Sequence, residues 1–251
     1  MKIVILGGTG LIGRPLVEIL RAQHHEVLAA SPSNGVNTLT GDGLTAALQG
    51  ASVVIDVTNS PSFADADVLS FFQTSAAHVH PAEAAAGVRH HIALSVIGCD
   101  RLPDSGYMRA KVAQEKAIAA SGIPYTILRA TQFFEFIGPT ANAGEQNGKV
   151  VVPTAFMQPI AAADVSAALS HFPTADPING VVEIAGPEKL RIDELVRRLF
   201  LLQHDARPIV ADPNALYFGT RVTDESLVPH GPHQTGPTRY NDWLQRTIAK
   251  S

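Results

Sequence analysis

The sequence predicts an α/β protein with a doubly wound parallel sheet. Two observations support this fold class: strand-like and helix-like segments alternate through the first 130 residues or so, and the first strand runs into a glycine-rich turn that opens a helix. Alternation of this kind requires crossover connections, which place helices on both faces of a parallel sheet.

The alternation is regular from the first residues onward. Residues 2–6 (KIVIL) are a short β-branched run that is typical of a buried parallel strand. The next segments are predicted as helix, strand, helix and strand, at residues 11–23, 26–30, 44–50 and 52–57.

A long alanine-rich helix is expected over residues 64–86, interrupted or ended near Pro81. The alternation then closes with a strand, a helix and a strand, at residues 91–96, 105–121 and 125–130.

Beyond residue 130 the pattern loosens, although strands at 148–154 and 180–186 and helices at 161–172 and 191–202 are still indicated. Residues 204–237 are rich in Pro, Gly and His and predict mostly loop, and 238–250 predict a closing helix that carries Trp243. We interpret 1–251 as a single domain, with a core over 1–130 and a small mixed C-terminal elaboration over 131–251.

The composition narrows the functional classes. Hydrophobic residues make up 45% of the 251 residues, charged residues only 17%, and the net charge is −4, which argues against a nucleic-acid binder. The single cysteine, Cys99, favours a reducing compartment. No apolar run is long enough to span a membrane, and the first ten residues do not resemble a signal peptide. We expect a soluble cytoplasmic protein, a monomer or a homodimer.

The turn after the first strand is GGTGLIGR, in which Gly7, Gly10 and Gly13 recur every three residues. Gly7 suits a tight turn, Gly10 close approach of the backbone to a pyrophosphate, and Gly13 close packing of the helix on the sheet. The alternative, a turn without a ligand, is disfavoured by the strand and helix on either side. A Rossmann dinucleotide site is therefore predicted, in which the intervening residues also contact the cofactor: Thr9, Leu11, Ile12 and Arg14.

The type of dinucleotide is suggested by the end of the second strand. An NAD site usually has Asp or Glu there, whereas this chain has Ser31 and Ser33. Arg14 opposes the dipole of its helix, and a nearby phosphate would explain it; alternatively it simply points to solvent. These residues favour NADP(H) over NAD(H). Asp42 either contacts the adenine or caps the helix that follows.

Several stretches together resemble the atypical short-chain dehydrogenase/reductases, near the NmrA-like and NAD(P)H:quinone reductase-like branch: GGTGLIG, LSVIG, YMRAK, ASGIPYTILRATQFFEF and VVEIAGPE. The similarity covers most of residues 1–200. The resemblance implies a catalytic serine, tyrosine and lysine, which fall on Ser95, Tyr107 and Lys111. Many NmrA-like members lack the tyrosine, and some only sense the cofactor.

Tyr107 and Lys111 are four residues apart and share one face of a helix. In the catalytic interpretation Lys111 makes the tyrosine a stronger acid and also holds the nicotinamide ribose, Tyr107 exchanges a proton with the substrate oxygen, and Ser95 donates a hydrogen bond to that oxygen. In the alternative interpretation both residues are exposed helix surface.

Two further loops follow strands whose carboxyl ends should face the ligand. Thr58, Asn59 and Ser60 are expected to line the cofactor cleft, and Thr131 and Gln132 to meet the nicotinamide amide. Ten histidines, several of them close pairs, suggest a metal, but no carboxylate or cysteine was recognised at ligand spacing, and we predict no metal site.

The leading functional hypothesis is an NAD(P)H-dependent oxidoreductase that transfers hydride to a small carbonyl or quinone-like substrate. Two alternatives remain open: a non-catalytic NAD(P)-binding regulator that reads redox state, and a nucleotide-sugar-type epimerase. Within the single domain, we expect residues 1–130 to form the cofactor-binding core and residues 131–251 a mixed substrate-side portion.

Overall fold

A computed structural model describes residues 1–248 of the chain. The strands and helices in chain order are β1 (Lys2–Leu6), α1 (Gly13–Ala22), β2 (Glu26–Ala30), α2 (Leu44–Leu48), β3 (Val53–Asp56), α3 (Asp65–Ala86), β4 (His90–Val96), α4 (Gly106–Ala120), β5 (Tyr125–Ala130), α5 (Ile137–Ala143), β6 (Glu145–Gln146), β7 (Lys149–Val152), β8 (Phe156–Met157), α6 (Ala162–Leu169), β9 (Gly180–Ala185), β10 (Leu190–Arg191), α7 (Ile192–Gln203), β11 (Ile209–Ala211), β12 (Gln234–Thr235) and α8 (Tyr240–Ile248).

The central feature is a parallel sheet of seven strands in the order β12-β9-β5-β4-β3-β1-β2, flanked by helices. The predicted doubly wound Rossmann-like fold is confirmed. From β1 the chain first adds β2 on one side and then β3 on the other. The direction of strand addition therefore reverses between β1 and β3. In open sheets of this kind ligands bind outside the carboxyl ends of the strands at that reversal.

The described chain groups into two compact units with interleaved segments. The first unit contains residues 1–95, 106–129 and 165–182, and the second contains residues 96–105, 130–164 and 183 onward. The expected division of one domain into a cofactor side, 1–130, and a substrate side, 131–251, remains a prediction.

The core of the first unit lies between β1, β2, β3 and the helices α2 and α3. Val4, Leu6 and Val54 are almost fully buried and pack against Leu48 and Val79 from the two helices. Every residue of β3 is buried, because a parallel strand in the middle of a covered sheet has no face toward water.

Helix α3 spans almost the whole of its predicted range, 64–86, without a break. It continues through Pro81 to Ala86 and ends at Gly87, which has a left-handed backbone conformation. The expectation of an interruption near Pro81 is therefore wrong. Pro81 and Ala77 are both exposed, so water can bond the Ala77 carbonyl, which loses its usual helical donor at Pro81.

The second unit adds two small sheets, one pairing β8 with β10 and one in the order β11-β7-β6. Phe134 is buried, with its ring centroid 5.0 Å from that of Tyr240 and 5.6 Å from that of Trp243. The closing helix is present as α8, and residues 249 and 250 of its predicted span lie outside the described residues. Within residues 1–248, no helix has the combined length and apolarity that a membrane crossing needs.

Candidate cofactor and active site

The glycine loop has the predicted tight turn at Gly7 and the predicted close helix packing at Gly13. Gly7 has a φ of +79°, and a Cβ added there would lie 3.0 Å from the Val57 carbonyl oxygen. A Cβ on Gly13 would lie 2.2 Å from the Gly7 carbonyl oxygen, so only glycine lets α1 come this close to the loop. Gly10 differs, because a Cβ there would meet only the Gly7 oxygen, at 3.3 Å. Its outer side is therefore open for a ligand to approach the backbone.

Helix α1 begins at this loop without a side-chain cap. Its N-cap residue, Ile12, makes no capping hydrogen bond through its side chain, and the first turn contains no acidic residue. The Arg14 N–H donates to the Gly10 carbonyl oxygen at 3.1 Å and Pro15 has no N–H, so the backbone N–H groups before Arg14 and the positive end of the helix dipole lie next to Gly10. A helix start of this kind is the usual arrangement for binding phosphate. Thr9, Leu11 and Arg14 are exposed around it, whereas Ile12 is buried.

The ends of β2 and β3 lie against the same loop. The backbone N–H of Gly7 donates to the Ala30 carbonyl oxygen at 2.9 Å, and Gly7 also approaches Val57 closely. The loops after β1, β2 and β3 thus form one continuous edge, as predicted for the carboxyl ends of parallel strands.

Ser31 and Ser33 have different environments. Ser31 is 6% exposed and caps the short 3-10 helix Pro32–Asn34, where its N–H donates to Asn34 Oδ1 at 2.7 Å. Ser33 is exposed, and its hydroxyl lies 2.8 Å from that of Ser31. Ser33 is therefore the hydroxyl accessible to a phosphate, while Ser31 shapes the turn.

Asp42 does not cap α2. The N-cap is Gly43, which makes no side-chain capping bond, and Asp42 instead accepts a hydrogen bond from Thr40 Oγ1 at 2.5 Å. Of the two interpretations of Asp42, the capping one is wrong. Its contact with the adenine remains a prediction.

The loop after β3 is fixed by Asp56. Asp56 Oδ1 accepts hydrogen bonds from the Thr58 N–H at 2.9 Å and from Thr58 Oγ1 at 2.6 Å. Asn59 is exposed and Ser60 is buried, with its hydroxyl accepting from the Ser62 N–H at 3.3 Å. Thr58 therefore lies beside Gly7 in a rigid turn.

Lys111 is connected to that turn through buried side chains. Lys111 is only 3% exposed. Its Nζ donates to the Leu94 carbonyl oxygen at 2.8 Å and to Gln114 Oε1. Gln114 Nε2 in turn donates to Asp56 Oδ2 at 3.2 Å. A continuous path of hydrogen bonds thus runs from Lys111 through Gln114 and Asp56 to Thr58.

Ser95 is held by a different buried group. Its hydroxyl donates to Glu115 Oε1 at 2.5 Å, and Glu115 also forms a two-pronged ion pair with Arg129, at 2.8 Å and 2.6 Å. The one hydroxyl proton of Ser95 is thereby directed at a carboxylate. To donate to a substrate oxygen, Ser95 would have to give up its hydrogen bond to Glu115.

Tyr107 is half-buried on the first turn of α4. Its ring lies 5.6 Å from that of Phe63 and packs beside Val68 and Phe72 of α3. Lys111 Nζ lies 4.6 Å from the centroid of the Phe72 ring. The structure therefore places Tyr107 and Lys111 on one face of α4, toward α3, and the alternative in which both are exposed helix surface does not describe Lys111.

In the second unit, the loop after β5 contains buried polar atoms. Thr131 is 1% exposed and Gln132 is 9% exposed. Thr131 Oγ1 and both amide atoms of Gln132 have no hydrogen-bond partner within residues 1–248. Buried polar atoms are normally satisfied. These three are suited to a ligand that offers both donors and acceptors, such as a carboxamide.

Four functional candidates were missed in the sequence: Asp56, Gln114, Glu115 and Arg129. Asp56 had a local signal, a carboxylate at the end of the apolar strand VVID. Gln114 had none, since its partner Asp56 is 58 residues away. Glu115 stands four residues after Lys111, but only the fold brings it to Ser95 and Arg129.

A second cluster of polar side chains lies between α3 and β4. His91 Nδ1 is 2.7 Å from Glu83 Oε1, and both side chains are almost completely buried. Burial by itself lowers the pKa of His91, but the charge and hydrogen bond of Glu83 outweigh it, so that the pKa is raised. Burial lowers the pKa of the neighbouring His80.

Comparison with known proteins shows the family to which the chain belongs. The profile of a family described as NAD(P)H-binding matches residues 7–172, which contain both the glycine loop and α4. Among curated proteins, the divinyl chlorophyllide a 8-vinyl-reductase of Zea mays is 26% identical over 223 residues, which is 74% of this chain and 55% of the maize protein. The chain thus spans little more than half the length of that relative.

Solved structures share the fold at low identity. An NADPH-dependent quinone oxidoreductase of Escherichia coli has a TM-score of 0.73 and 19% identity, over 98% of this chain and 99% of its own. The UDP-N-acetylglucosamine 4-epimerase of Bacillus cereus has a TM-score of 0.72 and 15% identity, over the whole of both chains. A short-chain dehydrogenase/reductase superfamily protein of Agrobacterium tumefaciens with bound NAD has a TM-score of 0.69 and 17% identity, over 99% of this chain and 96% of its own.

Proposed function

Because this chain belongs to the NAD(P)H-binding family, we propose that it is an NAD(P)H-dependent oxidoreductase that reduces a small carbonyl or quinone-like substrate, with NADP(H) as its preferred cofactor. The observation that carries the proposal is the arrangement of the glycine loop, residues 7–13, at the start of α1, which we call the cradle. There the close packing of Gly7 and Gly13 leaves the backbone at Gly10 accessible and the helix without a cap of its own.

The residues around the cradle fit a dinucleotide. The N–H groups at the start of α1 would bind the pyrophosphate, and the fixed turn at Thr58 would support it from the β3 side. Ser33 and Arg14 would contact a 2′-phosphate, and residues 29–35, which contain no carboxylate, would not repel it. Asp42 would contact the adenine. The proposal also assigns the nicotinamide carboxamide to Thr131 and Gln132, whose unpartnered polar atoms would suit it.

The chemistry would be divided between the cofactor and α4. The reduced nicotinamide supplies the hydride. Tyr107 then provides the proton at the substrate oxygen, which is the role of a positioned general acid. Lys111 stabilises the tyrosinate that remains, and its bonds to Leu94 and Gln114 fix it for an electrostatic role. In the proposed site Lys111 also contacts the nicotinamide ribose, and Ser95 contacts the substrate.

The test begins with fluorescence titration of NADPH and NADH. We expect NADPH to bind about ten- to a hundredfold more tightly, since one charge-assisted hydrogen bond to the 2′-phosphate contributes about 1.5–3 kcal/mol. Equal affinities, or tighter NADH, would contradict the cofactor preference.

Turnover is tested next with a panel of small quinones and aldehydes, by following the loss of NADPH absorbance. Consumption of NADPH with at least one class supports the oxidoreductase. Tight NADPH binding without consumption across the panel would instead favour the redox-sensing regulator. A cofactor that copurifies and does not exchange would favour the epimerase.

A further inference from the structure

The cluster of His80, Glu83 and His91 has the composition of a metal site. His80 and Glu83 are three residues apart on α3, and His91 projects from β4. One ligand atom from each of the three residues lies within 4.8 Å of the others. We predicted no metal because no carboxylate was recognised beside the histidines, yet Glu83 follows His80 at the spacing that places both on one helix face.

The cluster also contains buried atoms without a partner. Glu83 is 0% exposed and His91 1% exposed. Within residues 1–248, neither Glu83 Oε2 nor His91 Nε2 has a hydrogen-bond partner. Leaving such atoms unsatisfied destabilises the fold, and more so where the group is charged. A cation bound by the carboxylate and the imidazoles would offset that cost.

Room for a further ligand lies next to His80. A small cavity is lined by His80, Ser75 and Val79 of α3, by Asp56 of β3 and by Gln114 of α4. His80 is only half-buried, so it gives the cluster a route toward solvent. Three protein ligands beside an open position are typical of zinc sites that also hold a water.

We propose that His80, Glu83 and His91 bind a divalent transition-metal ion, with Zn²⁺ as the best match. Two nitrogen ligands and one carboxylate oxygen are a common zinc set, with bonds of about 2.0–2.2 Å. In a tetrahedral site the ligands of one such ion lie about 3.4 Å apart, so the three side chains would have to move together by up to about 1.4 Å on binding. The ion would join the C-terminal part of α3 to the sheet, and the site is independent of the proposed function.

The test uses the full chain without a histidine tag, freed of metal by chelation and without any nucleotide. Zn²⁺ binding is measured by calorimetry, and Co²⁺ is used as an optical probe. We expect one equivalent to bind and Co²⁺ to show the strong visible absorption of a four-coordinate site. Absence of stoichiometric binding by the parent protein would overturn the proposal and leave a buried His91–Glu83 ion pair only.

Variants assign the ligands. Glu83→Gln and His80→Gln should each weaken Zn²⁺ binding at least about tenfold, because loss of even a residue that supports a ligand typically costs about 10–100-fold. The matched control is His78→Gln, on the same helix, where His78 Nδ1 is bonded to the Thr38 carbonyl oxygen, outside the cluster. His80 is half-buried, so its variant should keep the circular dichroism of the parent. Unchanged binding in both cluster variants, or an equal loss in His78→Gln, would overturn the assignment.

Discussion

The glycine loop and the buried polar path of Lys111, Gln114 and Asp56 belong to the same compact unit but are constructed differently. The loop presents backbone atoms to an open side, and its glycines act by having no side chain. The path consists of side chains buried against the sheet, each satisfied by the next. A change in the loop should therefore affect the ligand first, whereas a change in the path should affect the fold as well. The predictions below test that contrast.

The largest effect is expected at Tyr107, beside the polar path. Tyr107→Phe removes one hydroxyl and keeps the ring that packs on Phe63. Turnover should fall about 10²–10⁴-fold, which is the usual contribution of a positioned proton donor, while NADPH affinity holds. Steady-state kinetics and fluorescence titration measure the two quantities.

The control for Tyr107 is Tyr125→Phe, which removes a hydroxyl from the β5 strand, away from α4's first turn. Its turnover should match the parent. If Tyr107→Phe also turns over like the parent on the best substrate of the panel, Tyr107 is not the acid.

Gly10 tests the open side of the loop. Gly10→Val should lower NADPH affinity about a hundredfold or more, because a side chain there would separate the cofactor from at least two charge-assisted backbone hydrogen bonds. The melting temperature without cofactor should hardly change, since the first added atom meets only the Gly7 oxygen, at 3.3 Å.

A suitable control is Gly231→Val. Gly231 has no atom within 4 Å of an added Cβ, and neither it nor Gly10 needs a positive φ. Normal cofactor binding by Gly10→Val would show that the glycine loop is not the cradle. If Gly10→Val does not fold, the glycine loop affects the fold as the buried polar path does, and the contrast between the two is wrong.

Gln114 tests the buried path. Gln114→Leu leaves Lys111 and Asp56 without the amide that links them, and should lower the free energy of unfolding by about 1–3 kcal/mol. NADPH affinity should fall as well, because Asp56 fixes the Thr58 turn. Urea denaturation followed by circular dichroism provides the measurement.

Gln73→Leu, an exposed change on α3, is the comparison for Gln114 and should stay within about 0.5 kcal/mol of the parent. A Gln114→Leu protein as stable as Gln73→Leu would mean that the path contributes nothing to the fold.

The smallest effect is expected at Ser33. Ser33→Ala removes one exposed hydroxyl and should weaken NADPH binding about two- to tenfold, the equivalent of one hydrogen bond of about 0.5–1.5 kcal/mol. NADH lacks the 2′-phosphate and serves as the internal control, with no change expected. A parallel loss for both cofactors would assign Ser33 to the turn, as the structure already does for Ser31.

The same contrast explains what the sequence could predict. The glycine loop is local: Gly7, Gly10 and Gly13 define it, and the structure has the predicted turn at Gly7 and close packing at Gly13. The order of strands and helices follows from local patterns as well. The polar path is not local, since Gln114 reaches Asp56 across 58 residues and Ser95 reaches Glu115 across 20. The hydrogen-bond partner of a buried side chain depends on how α4 packs on the sheet, which no spacing in the sequence reports.

Helix α1 starts with neither a side-chain cap nor an acidic residue in its first turn, and this has a consequence for how long the protein survives in a cell. A cofactor phosphate would act as the missing cap, and a ligand present at a hundred times its Kd stabilises the folded state by about 2.7 kcal/mol. Proteases degrade the unfolded fraction, so chains without cofactor would be removed faster than loaded ones. The amount of this protein would then follow the supply of nicotinamide cofactor without any change in the rate of its synthesis.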